Sequence, residues 1–184
     1  CGFSLLNHVS ANKNTFPFLA AFSKVRSYQK MLDEEFNKLG EQASQGCVRL
    51  AVSDAKWVYD NCPTGTNVSI YDDAENAGPL GKPEAIKITD FTNKWDPTDS
   101  NKKCPYAKAT PTISGANDYT IKSGGEFYAL AGVTAVDTCG NDITSKIEVF
   151  GNVVTTRKGK YKVTYSVTDV LKRTSSVTIT VTVA

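Results

Sequence analysis

A cysteine set directly behind a glycine, in the run Ala43-Ser44-Gln45-Gly46-Cys47-Val48-Arg49-Leu50, is the part of this chain whose residue types could do covalent chemistry. A thiolate attacking an acyl carbon needs backbone that approaches its substrate closely and N–H groups aimed at the developing oxyanion. Gly46 removes the side chain that would stand in the way. A free thiol ionises near pH 8.5, so at neutral pH it needs an imidazole or a positive field beside it. The sequence holds one histidine, His8, thirty-nine positions before Cys47. Any Cys–His chemistry here therefore uses His8 as its base, brought to the thiol by the fold rather than by sequence proximity. A hydrogen bond at the other ring nitrogen, for instance to a backbone carbonyl of Val9-Ser10, would fix the imidazole's tautomer and orientation.

Composition narrows the classes. With 184 residues, 40% hydrophobic and 22% charged, the chain has the make-up of one medium or two small globular domains. Its 21 basic and 19 acidic side chains are mixed along the sequence for a formal charge of +2, which leaves no basic stripe for nucleic acid and no polybasic patch for a membrane surface. No window approaches the roughly 18 consecutive apolar residues of a membrane span. The opening Cys1-Gly2-Phe3 has neither an initiator Met nor a signal sequence, which reads as a processed end or a fragment of a longer protein. The five cysteines are an odd number without paired zinc-site spacing, and one histidine cannot complete a zinc centre, so no metal and no cofactor are expected. Cys62, Cys104 and Cys139 read as small buried hydrophobes.

The elements that must position the thiol are legible in outline, and the expected fold class is mainly β with short helices. Tyr28, Met31, Leu32, Glu35, Phe36 and Leu39 trace a loosely amphipathic helical face that Gly40 would close. Ser53 to Asn61 reads as a short helix with Ser53 as N-cap, ended by Cys62-Pro63, and a strand from Asn67 to Tyr71 follows the Thr64-Gly65-Thr66 turn. Residues 89–108 are polar, Pro-punctuated and aperiodic, a linker composition. Asp96, Asp99 and Asn101 echo a calcium loop, but its glycine and terminal glutamate are missing. Beyond the linker, Tyr161, Val163, Tyr165 and Val167 alternate with polar residues, as do Val177, Ile179, Val181 and Val183, with turns expected at Gly159 and at Asp169 to Arg173. Short Thr- and Val-rich strands of this kind predict a β-sandwich, with Tyr161 and Tyr165 in its core.

The stretch from His8 to about Ile88 resembles the C-terminal part of the L,D-transpeptidase catalytic domain, the YkuD-like fold. Its signature is an upstream histidine followed by Ser/Thr-His-Gly-Cys-Ile/Val-Arg. The matching residues are Ser44-Gln45-Gly46-Cys47-Val48-Arg49-Leu50, supported by Phe36-Asn37-Lys38-Leu39-Gly40, Ser53-Asp54-Ala55-Lys56-Trp57-Val58-Tyr59-Asp60-Asn61 and Gly78-Pro79-Leu80-Gly81-Lys82-Pro83. Gln45 stands where the signature carries its own histidine, and Val9 where a small polar residue often follows the base. The β-rich front of that domain would precede Cys1, so the resemblance implies an N-terminally truncated catalytic domain. The later region resembles bacterial surface Ig-like modules through Ile113-Ser114-Gly115-Ala116, Gly140-Asn141-Asp142-Ile143-Thr144 and Gly159 to Asp169. The implied organisation is a catalytic part at 1–88, a linker at 89–108 and an Ig-like β-sandwich at 109–184.

The resemblance implies a peptidoglycan cross-linking enzyme on the surface or in the wall of a Gram-positive bacterium, monomeric and acting on stem peptides. Cys47 would be the nucleophile and His8 the base. Gly46 and Gln45 would shape the oxyanion loop, and Ser44, Arg49 and Val9 would support the loop or the substrate. β-Lactams of the carbapenem class would acylate Cys47. Two other readings stand beside it. One is a non-catalytic wall-binding or adhesive surface protein, and the other a Cys–His peptidoglycan amidase or endopeptidase that uses water as acceptor.

Overall fold

Two-residue alternation is realised most fully near the chain's end. Val163, Tyr165, Val167, Ile179, Val181 and Val183 are buried, while Thr164, Ser166, Thr178, Thr180 and Thr182, which alternate with them, are more exposed. The computed structural model describes residues 3–4, 36–41, 48–63, 65–67, 83–89 and 92–184. The chain divides into two units, Cys1–Ala107 and Lys108–Ala184. The described residues are mainly strands, with one helix described along its length and short 3-10 turns.

In the second unit, strands β4 (Tyr119–Ile121), β6 (Glu148–Phe150), β7 (Gly159–Thr168) and β8 (Thr174–Val183) form a sheet in the order β4-β8-β7-β6. β4 runs parallel to β8, and the other pairs are antiparallel. Strands β3 (Thr112–Ser114) and β5 (Thr134–Val136) pair antiparallel as a second sheet. Ile121, Val133, Ala135, Ile143, Ile147 and the inward residues of β7 and β8 share one core, so the two sheets bury each other as a sandwich. Each fully buried valine in it contributes on the order of 1.5–3 kcal/mol. On the outer face Thr164 and Thr178 join their hydroxyls across the β7–β8 pair at 2.8 Å. Tyr165 is a core residue whose hydroxyl donates to the Ala129 carbonyl at 2.7 Å, as a buried phenol requires.

The expected turn after β7 is present. The Asp169 carboxylate accepts the Arg173 N–H at 2.9 Å, and Lys172 adopts a φ of 62°. Gly159, by contrast, opens β7 opposite Val183, and the turn lies ahead of it, where the Arg157 N–H reaches the Val154 carbonyl at 3.1 Å.

In the first unit, β1 (Phe3–Ser4) pairs parallel with β2 (Arg49–Leu50), and a helix spans Val52–Asn61. Cys62 closes the helix by donating its N–H to the Val58 carbonyl at 2.9 Å. Phe36, Ala51 and Ile88 form a small buried cluster, flanked by Leu39 and Ile86. Gly40 follows Phe36 and Leu39 with a φ of 87°, the left-handed conformation a helix-ending glycine supplies. The remaining residues of the expected 28–39 helical face, and all of the expected Asn67–Tyr71 strand after Asn67, lie outside the described residues.

Candidate functional site

The chain leaves the Gly46-Cys47 run through Val48 into β2, where Arg49 is half-buried and in register with Phe3 and Ser4. Leu50 and Ala51 are buried, and Ala51 enters the Phe36–Ile88 cluster. That cluster is tied by a two-point amide bond. The Asn37 side chain donates to the Ile88 carbonyl at 2.9 Å and accepts the Ile88 N–H at 2.8 Å. Lys87 adds a bond to the Asn37 carbonyl and stands 3.6 Å from the Glu41 carboxylate. The backbone on the C-terminal side of the cysteine run is thereby fixed to two other segments of the chain.

The helix that follows is capped from a distance. Its N-cap residue is Ala51, which has no side chain able to accept a helix N–H, and Ser53 lies inside the first turn rather than at the cap. The acceptors come from the segment after Trp95. The Asp96 carboxylate takes the Val52 N–H at 2.8 Å, and the Thr98 hydroxyl oxygen takes the Ser53 N–H at 3.0 Å. Thr98 is itself locked to Asp96, donating to its carboxylate from its N–H at 2.7 Å and its hydroxyl at 2.6 Å. Asp96 is only 8% exposed. Burial raises its pKa above the ordinary carboxylate value, and the bonds from Thr98 and Val52 oppose that rise.

The rest of this segment owes its polar composition to side chains that bond the backbone two residues on. Asn93, Asp99 and Asn101 accept the N–H groups of Trp95, Asn101 and Lys103 at 2.9, 2.8 and 3.0 Å. The carboxylates and amide that echoed a calcium loop are therefore spent on turns and on the helix cap. Among the described residues no group of three or more His, Cys, Asp or Glu could hold a metal ion. The segment read as a linker carries Asp96, Pro97, Cys104 and Tyr106 as buried residues.

Of the expected site residues, Arg49 is described; His8, Val9, Ser44, Gln45, Gly46 and Cys47 lie outside the described residues. β1 ends four positions before His8 and β2 begins two positions after Cys47, so the pairing joins the strand leading to the histidine with the strand leaving the cysteine. Cys62, Cys104 and Cys139 form no disulfide, and Cys104 and Cys139 are buried. Burial raises the Cys104 pKa, and burial together with the Asp137 carboxylate pushes the Cys139 thiol up to about 11. Neither is poised as a nucleophile at neutral pH. Sequence reading missed Asn37, Asp96 and Thr98 as anchors of this region. Asp-Pro-Thr does signal a local turn, but nothing in it names a helix forty-four positions earlier as the partner.

No helix among the described residues is long and apolar enough to cross a membrane. Residues 25–70 match the L,D-transpeptidase catalytic domain family, YkuD, and residues 111–183 match the family described as bacterial surface protein, Ig-like domain. Among curated proteins, the chain is 47% identical over 58 residues to YciB of Bacillus subtilis (strain 168), whose name places it provisionally among the L,D-transpeptidases. The match covers 32% of this chain and 30% of that protein, so the chain spans under a third of its relative's length. Among solved structures, one holding the CBM51-2 and INT domains of Clostridium perfringens ZmpB with GlcNAc is 31% identical with a TM-score of 0.37, over 40% of this chain and 16% of that one. The lipoprotein BT2262 of Bacteroides thetaiotaomicron is 26% identical with a TM-score of 0.35, over 40% of this chain and 37% of its own. The chain thus resembles an L,D-transpeptidase catalytic domain in its first part and a bacterial surface Ig-like domain in its second.

Proposed function

We propose that this chain carries the nucleophile-bearing part of a peptidoglycan L,D-transpeptidase, with residues 1–88 catalytic, 89–108 connecting and 109–184 an Ig-like module. The Ser44-to-Leu50 run is the observation that carries this reading, and it lies inside the segment matching the catalytic-domain family. The raised pKa values of Cys104 and Cys139 support it, because they leave those thiols unsuited to attack.

In this mechanism His8 takes the Cys47 proton, and the thiolate attacks the stem-peptide carbonyl preceding the terminal D-Ala. The carbonyl oxygen becomes an oxyanion facing the N–H groups around Gly46 and Cys47. Its collapse breaks the peptide bond, and the D-Ala amine leaves with the proton held by His8. A side-chain amine of a second stem, giving its proton to His8, then attacks the thioester, forms the cross-link amide and returns the Cys47 thiol. Ser44, Gln45 and Val9 shape the loop around these groups, and Arg49 holds it from β2. The setting is the outer surface or wall of a Gram-positive bacterium, with the Ig-like module as spacer or adhesive unit of a monomeric protein.

The test is incubation of the chain with a carbapenem followed by intact mass measurement. A covalent adduct that disappears in Cys47→Ala is expected. A folded chain that forms none would overturn the reading in favour of a non-catalytic wall-binding protein, to which Gln45 in the signature's histidine position lends weight. Stem-peptide products separate transfer from hydrolysis, since a dimer linked through the third residue marks the first and a free tripeptide the second. Unchanged Cys47 alkylation in His8→Ala would remove His8 as base.

A further inference from the structure

Asp96 and Thr98 reach across 44 and 45 positions of sequence to hold the first two N–H groups of the helix that follows the cysteine run. From Arg49 to Ser53 the chain has little freedom. Arg49 and Leu50 are paired to β1, Ala51 is packed against Phe36 and Ile88, and Val52 and Ser53 are bonded to Asp96 and Thr98. The strand thus has a backbone partner along its length and a side-chain clamp just past its C-terminal end.

The clamp is built for the purpose. Asp96 is buried, and three hydrogen bonds from Val52 and Thr98 occupy its two carboxylate oxygens. Its own carbonyl accepts the Asp99 N–H at 3.0 Å and lies 3.6 Å from the Cys104 sulfur, which fixes the loop from behind. A surface cap worth its usual kcal/mol or so would not need that enclosure.

We infer that Asp96 is a positioning residue for the Cys47 nucleophile, acting through the Val52–Asn61 helix and β2, and that the segment carrying it belongs functionally to the catalytic part. This rests on the reading of Cys47 as an acyl-accepting thiol. Asp96 touches no substrate. It limits the drift of β2, which begins two positions after the thiol in the sequence, and misplacement of a reacting atom by about 1 Å can cost up to about a hundredfold in rate.

The experiment measures carbapenem acylation of the full chain against carbapenem concentration for wild type, Asp96→Ala, Asp96→Asn and Thr98→Val, with the folded fraction of each taken from its thermal transition. Asp96→Ala is expected to lower the limiting acylation rate by about tenfold or more while leaving the half-saturating concentration unchanged. Asp96→Asn can satisfy either Val52 or Thr98 but not both, because its amide nitrogen is a donor, and should fall between. If Asp96→Ala does not fold, Thr98→Val, which removes the Ser53 acceptor and the hydroxyl bond to Asp96 but keeps the Val52 bond to the carboxylate, carries the test with a smaller drop in the same limiting rate. A limiting rate equal to wild type once the folded fraction is allowed for would overturn the inference. Wild type forming no adduct would instead overturn the reading of Cys47, and this inference with it.

Discussion

Two glycines in the second unit form a matched pair that separates backbone strain from close packing. Gly115 ends β3 at a φ of 79°, and Gly124 lies in the turn after β4 at 81°. Alanine at either position pays the same left-handed penalty, about 1–2 kcal/mol. At Gly124 an added Cβ meets nothing within 4 Å, so the penalty is the whole effect. At Gly115 it would overlap the Gly132 carbonyl oxygen and stand 2.9 Å from the carbonyl carbon. Both are backbone atoms that no rotamer change can move aside. Relief requires Gly132 and Val133 to shift, and Val133 is a core residue one position before β5, whose Thr134 pairs with Ser114. Overpacking of this kind adds about 1–3 kcal/mol, so Gly115→Ala should cost about 2–5 kcal/mol and Gly124→Ala about 1–2. For a unit of this size the difference is at least about 4 °C in Tm. Both tryptophans, Trp57 and Trp95, belong to the first unit, so their fluorescence does not follow this transition. Pulse labelling of the buried Cys139 thiol across a urea series, mapped by peptide mass, does. Equal midpoints for the two variants would refute the claim that the Gly115–Gly132 approach is needed for the β3–β5 pair.

The raised pKa of Asp96 sets a pH dependence for the first unit. The folded state holds that proton more tightly than the unfolded chain, so the contribution is fully present below about pH 3.8 and is lost as pH rises through the raised value. Asp96→Asn should remove this slope from urea midpoints read by tryptophan fluorescence, and a slope unchanged in the variant would contradict the assignment. At pH 8 a thiol pushed up to about 11 is ionised to about one part in a thousand, so iodoacetamide should label the half-buried Cys62 well before Cys139 in the folded chain. Labelling of both at one rate would refute the burial of Cys139.

What could be read from the sequence divides along local and non-local lines. The inward residues of β7 and β8 were legible because alternation is a property of successive residues, and the core holds them as expected except Tyr161 and Val177, which are half-buried and pack against it. The helix after the cysteine run was legible in extent but not in its cap, because Ser53 is a good capping residue by type whereas the acceptor comes from Asp96. The same gap explains the 89–108 segment. Runs of Asp, Asn, Ser and Thr read as a solvated connector, and the same residues in Asx turns build a compact loop around a buried carboxylate. In the candidate site, Cys47 and His8 came from residue chemistry and a signature. The side chains that hold the neighbouring backbone, Asn37 and Asp96, depend on pairings across 51 and 44 positions that no local pattern encodes.

The parallel pairing of β4 with β8 has a mechanical consequence. Tyr119, Thr120 and Ile121 lie beside Val181, Thr182 and Val183, and Ala184 continues the lacing by donating to Ile121 and accepting from Ser123. Tension that enters ahead of β4 and leaves past β8 pulls these neighbours in opposite directions along their common axis. The bonds between them are then loaded together, in shear, instead of parting one after another like a zipper. A module stretched end to end would yield late and abruptly, which suits an element that must carry force without lengthening.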